Sequence, residues 1–233
     1  MGKLYNITPF TLLDFPNEMS CIVWFAGCNM RCVFCHNPDI VQSKGDKDES
    51  ELIDFLKTRV GKLTGVVFSG GEPTLYQGLD DLVKRVRDMG FKTKLDTNGS
   101  RPEVLRVLLR DKLLDYVAMD YKCVPEKTEE LLGNSKYWDD FRISLKAMIH
   151  AAKDKKLKFE IRTTFHTGLM VESDLNWIID DLDKLGYEGT YYIQNIASTG
   201  EKTLGHVAAP TREFEKNLIK EPKGFKLAYR NFD

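Results

Sequence analysis

At 233 residues, 42% hydrophobic and 30% charged, the chain has room for one domain with a sizeable core, and barrels of this size commonly form a single unit. Its formal net charge of −1 and pI of about 6.5 come without a strong basic stripe, which excludes the usual electrostatic footprint of a nucleic-acid binder. No stretch approaches the length of a membrane span, and the opening MGKLYNITPF lacks the apolar segment of a secretory signal, so a cytoplasmic protein without a membrane partner is expected.

Residues 3–16 read as an extended lead-in or hairpin broken at Pro9 and Pro16. Ser20–Ala26 (SCIVWFA) is a short apolar run rich in β-branched and aromatic residues, hence a buried strand. Residues 42–50 are polar and loop-like, and Ser50–Val60 has the spacing of an amphipathic helix. A regular alternation follows. Strands are expected at Gly65–Ser69, Phe91–Leu95, Leu114–Met119, Leu157–Thr164 and Thr190–Ile193. Helices are expected at Leu79–Met89, Pro102–Arg110, Tyr137–Lys153 and Ser173–Leu185, the last capped by Ser173 and stopped by Gly186. Thr211–Lys220 reads as a further helix, and the last dozen residues as an outer packing segment or a tail. The run Lys153–Lys158 reads as a solvated helix end leading into a strand.

Six strands joined by helices imply a parallel α/β sheet that curls into a barrel or part of one, a partial (β/α)6 TIM-like barrel. We expect one domain over 1–233, with a core of about 18–196, a lead-in of 1–17 and an extension of 197–233. Each strand is apolar until its C-terminal end, where a polar or glycine cluster appears. These ends are Gly70-Gly71-Glu72-Pro73, Asp96-Thr97-Asn98-Gly99, Asp120-Tyr121-Lys122, Phe165-His166 and Gln194-Asn195. Function in such barrels sits at that face.

The first strand delivers the chain to CNMRCVFCHNP, residues 28–38. Five cysteines, an odd number, are expected to stay reduced, so the clustered ones read as metal ligands, not disulfides. Cys28, Cys32 and Cys35 can hold three corners of a [4Fe–4S] cubane, leaving one iron open for chemistry. A structural zinc site is the competing reading, but it wants a second ligand pair that the chain does not offer. A redox pair at Cys32 and Cys35 leaves Cys28 unexplained. Cys21 reads as a core residue and Cys123 as a loop cysteine.

An open iron calls for an exchangeable ligand, and a group carrying both an amine and a carboxylate could chelate it. Gly70 and Gly71 would let a ligand approach the backbone, leaving N–H or C=O groups free to meet it. Glu72 would accept from an ammonium, and Lys122 or Arg162 would take a carboxylate. Asp96 and Asp120 suggest a ribose contact or a bound cation, since unpaired buried carboxylates are costly. The bland alternative for each is a cap or turn residue. Of the four histidines, His166 at a strand end is the one nearest to a functional position.

The Cys28–Cys35 spacing, with Phe34 before the last cysteine, resembles the signature of the radical S-adenosylmethionine (SAM) enzymes, and Gly70–Pro73 resembles their GGE motif. The resemblance runs from the lead-in to about residue 195. Cys35-His36-Asn37-Pro38, Asp96–Gly99 and the D-x-K at Asp120–Lys122 are similar to glycyl-radical-enzyme activating proteins, including the pyruvate formate-lyase type. TPFTLLDFP with the cysteine loop is most similar to anaerobic ribonucleoside-triphosphate reductase activating proteins. The chain is longer than the compact reductase activases and lacks the cysteine-rich ferredoxin insert of some members.

The resemblance implies the radical SAM fold, a [4Fe–4S] cluster on Cys28, Cys32 and Cys35, and bound SAM. Phe34, His36, Gly70, Gly71, Glu72, Asp96, Thr97, Asn98, Asp120, Lys122, Arg162 and Gln194 would surround that cofactor. By matching position, Glu72 and its glycines would meet the amino group. Asp120 and Lys122 would meet the methionyl part or a monovalent cation beside it, with Asp96 and Thr97 helping to hold that cation. The implied reaction is one-electron cleavage of SAM, followed by hydrogen removal from a glycine of a partner glycyl radical enzyme, with a flavodoxin or ferredoxin as electron donor. A glycyl loop must reach the cavity, so the barrel should be splayed on one side. Two alternatives stay open. One is radical chemistry on a small molecule of the deazapurine-precursor type. The other is a non-catalytic iron–sulfur or zinc protein.

Overall fold

The computed structural model describes residues 3–197 and 199–232. Eight strands form one sheet in strict chain order. β1 (Leu4–Thr11) is antiparallel to β2 (Ser20–Phe25). All later neighbours are parallel: β3 (Gly65–Gly70), β4 (Lys92–Thr97), β5 (Tyr116–Asp120), β6 (Lys158–Phe165), β7 (Thr190–Asn195) and β8 (Lys226–Arg230). Among the described residues β8 does not pair back to β1, so the barrel is open on that side.

Helices fill the crossovers: α1 (Pro38–Gln42), α2 (Glu49–Lys57), α3 (Leu79–Asp88), α4 (Pro102–Arg110), α5 (Thr128–Leu132), α6 (Tyr137–Ala152) and α7 (Glu172–Lys184). In α3, Leu79, Leu82, Val83 and Val86 are buried at helical spacing, Asp80 and Asp81 sit in the first turn, and Gly90 ends the turn at φ +92°. α7 begins one residue earlier than Ser173 suggested. Its start is tied instead by Asp174, which accepts from the Val171 N–H at 2.9 Å.

Period-two alternation divides the side chains between two faces. A large apolar cluster, including Val66, Phe68, Leu95, Val117, Ile161 and Ile193, lies between sheet and helices. A smaller one, Phe15, Ile22, Val67 and Tyr116 with Trp24 against it, fills the barrel on the other face. Phe15 comes from the loop after β1 and meets Tyr116 edge-on at 5.9 Å.

The six expected strands are present, and two more join them. The lead-in is a strand along its whole middle, and Pro9 is tolerated because β1 is an edge strand with a register shift between Thr8 and Thr11. The last dozen residues are not a tail but supply β8. Thr211–Lys220 is not a helix; it holds only a 3-10 turn at Lys216–Leu218. Its polar groups are engaged by α7 instead. Glu172 accepts from Arg212 and from the Glu215 N–H, Asn176 Nδ2 donates to the Leu218 carbonyl, and the Lys220 N–H donates to Asn176. Phe214 packs on Phe165 and Phe232, with ring centroids 5.0 and 4.7 Å apart. Those contacts favour an extended strap over internal helical bonds.

Candidate functional site

A cavity of about 250 Å³ opens at the C-terminal strand ends, and each of the expected site residues borders it. Cys28, Cys32 and Cys35 stand on one side. On the others stand Phe34, His36, Gly70, Gly71, Glu72, Asp96, Thr97, Asn98, Asp120, Lys122, Arg162 and Gln194.

The cysteine loop leaves β2 through Gly27 (φ +83°) and is held from both sides. The Arg31 and Val33 N–H groups donate to the carbonyls of Leu132 and Leu131 in α5, both at 2.9 Å. From the extension, the Leu204 and Gly205 N–H groups donate to the Cys35 and Val33 carbonyls, both at 2.8 Å. The loop closes on itself where the Cys35 N–H donates to the Cys32 carbonyl at 3.0 Å.

All five cysteines are free thiols. Burial pushes the Cys28 thiol up to about 11, helped by the Glu72 charge, and the Cys32 thiol up to about 12. The Met30 amide and the Lys122 ammonium work the other way at Cys28. Among the described residues no three His, Cys, Asp or Glu side chains converge as ligands of a single metal ion. A tetrahedral zinc would need such convergence, whereas a cubane seats each thiolate on an iron of its own. The donor set therefore fits a cluster better than one ion.

The Gly70-Gly71-Glu72 corner differs from expectation. The Gly71 N–H donates to the Phe25 carbonyl at 2.9 Å, and the Glu72 N–H to the Gly27 carbonyl at 3.0 Å. These amides are therefore not free for a ligand. A Cβ on Gly71 would stand 1.9 Å from the Gly27 oxygen, and one on Gly70 2.3 Å from the Phe25 nitrogen. The glycines let the β3 end press against the root of the cysteine loop.

Glu72 is buried and its carboxylate already takes four donors, three on one oxygen and one on the other. Oε1 accepts from the Thr74 N–H (3.1 Å), the Thr74 hydroxyl (2.5 Å) and the Thr97 hydroxyl (2.8 Å), and Oε2 accepts from the Asn98 N–H (2.7 Å). Burial raises its pKa, against the pull of these four donors. The residue is a knot between the ends of β3 and β4. Thr97, bonded to Glu72, points away from its neighbour Asp96, so the two do not converge on one ligand. Asn98 braces the cysteine loop: its Nδ2 donates to Asn29 Oδ1 at 3.1 Å, and Asn29 donates to Ser100 at 2.8 Å.

Across the cavity the strand ends carry charges of alternating sign. Asp96 pairs with the buried Lys94, accepts from the Ser69 hydroxyl at 3.1 Å and lies 3.8 Å from Arg162. Asp120 accepts from Arg162 Nε at 3.0 Å and from Lys122 Nζ at 2.8 Å. Burial would raise the Asp120 pKa, but Arg162 and Lys122 outweigh it and hold the group at about 2. Burial opposes the charges on Lys122 and Arg162, and Asp120 more than restores both. Charge balance at the two aspartates thus requires no added cation. Lys122 Nζ lies 5.9 Å from the centre of the Phe34 ring. Burial, then Lys122, lowers the His36 pKa. The Tyr137 hydroxyl, on α6, reaches the Asn98 and Asp120 carbonyls at 2.9 and 3.2 Å and ties β4 to β5.

Sequence reading missed Asp14 and Trp24, which also border the cavity, and Lys94. The period-two rule places Lys94 on the face of Asp96, so that signal was available. His166 stands at a strand end as expected, but it borders a different cavity of about 350 Å³ behind the cysteine loop, with Val33, Gly205 and Val207.

The profile of the Radical SAM superfamily matches residues 22–185. The chain belongs to the radical SAM superfamily. Radical SAM enzymes use a [4Fe–4S] cluster and SAM, and this chain is an enzyme of that kind. A "Putative glycyl-radical enzyme activating enzyme" of Methanocaldococcus jannaschii is 33% identical over 175 residues, 73% of this chain and 71% of that protein. A pyruvate formate-lyase-activating enzyme of Clostridium pasteurianum is 34% identical over 142 residues, covering 54% and 58%. A 7-carboxy-7-deazaguanine synthase of Methanopyrus kandleri is 31% identical over 130 residues, covering 46% and 51%. The chain thus spans little more than half the length of the last two. Streptococcus suis SuiB bound to S-adenosylmethionine shares the radical SAM fold, with a TM-score of 0.61 at 17% identity over 78% of this chain and 41% of that one. No helix among the described residues is long and apolar enough to cross a membrane.

Proposed function

We propose that the chain is an activating enzyme that places a radical on a glycine of a partner glycyl radical enzyme, the partner being an anaerobic ribonucleotide reductase. Cys28, Cys32 and Cys35 would hold the [4Fe–4S] cluster, and the strand ends from β3 to β6 would hold SAM. When bound, these groups supply reductive cleavage of a sulfonium C–S bond, and the chemistry is the cofactors' own. The residues of the chain bind, orient and exclude water. Lys122 keeps donors beyond the one given to Asp120, and with Arg162 it suits a carboxylate. Beside the expected contact to an ammonium, for which Oε2 with its single donor has room, Glu72 has a positioning role, since it fixes Thr97 and Asn98, and Asn98 braces the loop that carries the cluster. The whole of 1–233 works as one domain, because the extension supplies both β8 and the outer bonds of the cysteine loop. A reducing cytoplasm and a flavodoxin- or ferredoxin-type donor suit such a centre.

The observation that carries this reading is the meeting of three free thiols and the charged ends of β4, β5 and β6 on one cavity, in a barrel left open between β8 and β1. A loop of another protein can enter through such an opening. The test begins with anaerobic loading of iron and sulfide, both counted. Deoxyadenosine formation from SAM is then followed in wild type and Cys32→Ala. A glycine-centred paramagnetic signal that appears only when the reductase is added supports the proposal. Turnover with a small-molecule deazapurine precursor, and no such signal, would transfer the chain to the group of its deazaguanine-synthase relative.

A further inference from the structure

Arg230 is the last residue of β8, and its side chain points into the barrel. It has three partners there. Its guanidinium lies over the Tyr192 ring, 3.4 Å from the centre. Nη1 donates to Gln194 Oε1 at 3.1 Å. Nη1 and Nη2 lie 3.5 and 3.4 Å from the two oxygens of Glu160. Glu160 is itself buried and accepts from the Tyr116 hydroxyl at 2.6 Å. Tyr192 and Gln194 alternate on β7, and Glu160 faces them from β6.

This arrangement fixes the direction of an amide. An arginine has donors only, so the oxygen of Gln194 must face Arg230. The Nε2 group then turns toward the cavity that Gln194 borders, and among the described residues it makes no hydrogen bond of its own. The stacked ring and the buried Glu160 hold the guanidinium in one orientation, so the amide is held too. β7 and β8 lie at the far end of the sheet from the cysteine loop, next to the edge that is unpaired among the described residues. A donor there is placed to meet what would come through the opening.

We infer that Arg230 is a positioning residue that presents the Gln194 amide as a hydrogen-bond donor to a peptide carbonyl beside the reacting glycine. The inference rests on the activating-enzyme reading, because it takes a peptide as the substrate. It gives the extension a part in substrate recognition.

The chain has three glutamines, Gln42, Gln77 and Gln194, so selective 15N labelling of the side-chain amides yields a readable spectrum. Gln194→Leu identifies its pair of amide signals. In the SAM-bound, cluster-loaded protein, N-acetylglycinamide, a glycine flanked by two carbonyls, should shift the Gln194 pair and leave the other two in place. In Arg230→Met the apparent Kd read from that shift should rise about tenfold or more, the effect of a lost, oriented hydrogen bond. Arg230→Lys, which keeps a donor, should recover part of the loss. The Gln42 and Gln77 signals report whether the fold survives each change. An unshifted Gln194 pair with saturating N-acetylglycinamide, or equal titrations in wild type and Arg230→Met, would overturn the inference. So would a Gln194 pair that moves on adding SAM and not on adding the diamide. Failure of wild type to cleave SAM would instead strike the activating-enzyme reading, and it is scored separately by deoxyadenosine formation.

Discussion

The two sides of the cavity are built differently. On the β2–β4 side the polar groups are satisfied within the protein: the Gly71 and Glu72 amides bond the β2 end, and the Glu72 carboxylate takes four donors. On the β5–β7 side Lys122, Arg162 and Gln194 keep donors that have no partner among the described residues. The first side supports the cysteine loop, and on the proposed reading the second is where a ligand would find partners. The lesson is that a recognisable motif can be scaffold, while the recognising groups stand opposite.

Breaking the support should have the largest effect. Gly71→Ala puts a carbon 1.9 Å from the Gly27 oxygen, and a backbone clash has no flexible end to yield. We expect a cost of about 3 kcal/mol or more, read as a fall in urea midpoint together with lost iron loading. Glu72→Gln comes next. Its new NH2 faces either the Asn98 N–H or the Thr74 and Thr97 donors, and we expect about 2 kcal/mol of destabilisation by the same measurement.

The other side should respond in binding more than in stability. Lys122→Met leaves Asp120 paired with Arg162. We expect SAM affinity, measured calorimetrically on loaded protein, to fall about tenfold or more, with a smaller change in urea midpoint than for Glu72→Gln. Asp120 also supplies a pH signature. Its pKa falls from 3.8 to about 2 on folding, so its ionised form stabilises fully above about pH 4 and the contribution fades as pH drops toward 2. That amounts to about 2 kcal/mol, and Asp120→Asn should flatten this part of the acid-unfolding curve. The smallest effect belongs to Ser69→Ala, which removes one hydroxyl from Asp96 and should cost about 1 kcal/mol or less.

The sequence made the parallel α/β core and the cavity membership readable, because polar clusters recur at the C-terminal ends of successive apolar strands, and in a parallel barrel those ends converge on one face. Periodicity cannot show where hydrogen bonds go. Glu72 looked like a ligand contact because a carboxylate after two glycines is conspicuous, yet its partners Thr74, Thr97 and Asn98 were equally visible in the chain. The resemblance sets Thr97 with Asp96 at one cation, although adjacent strand residues point to opposite faces. β8 was invisible for another reason. KLAYR is too short and too charged to announce a strand, and its partner strand lies about thirty residues back. Arg230 went unseen with it.

The cysteine loop receives two of its four flanking bonds from Leu204 and Gly205. Those residues lie late in the chain, after every strand but β8. While the polypeptide is still emerging from the ribosome, the outer flank of the loop has nothing to rest on. A firm three-thiol cradle therefore needs residues 204 and 205 to be made and docked first. A version cut short after residue 197 should take up metal loosely and lose it first to a chelator.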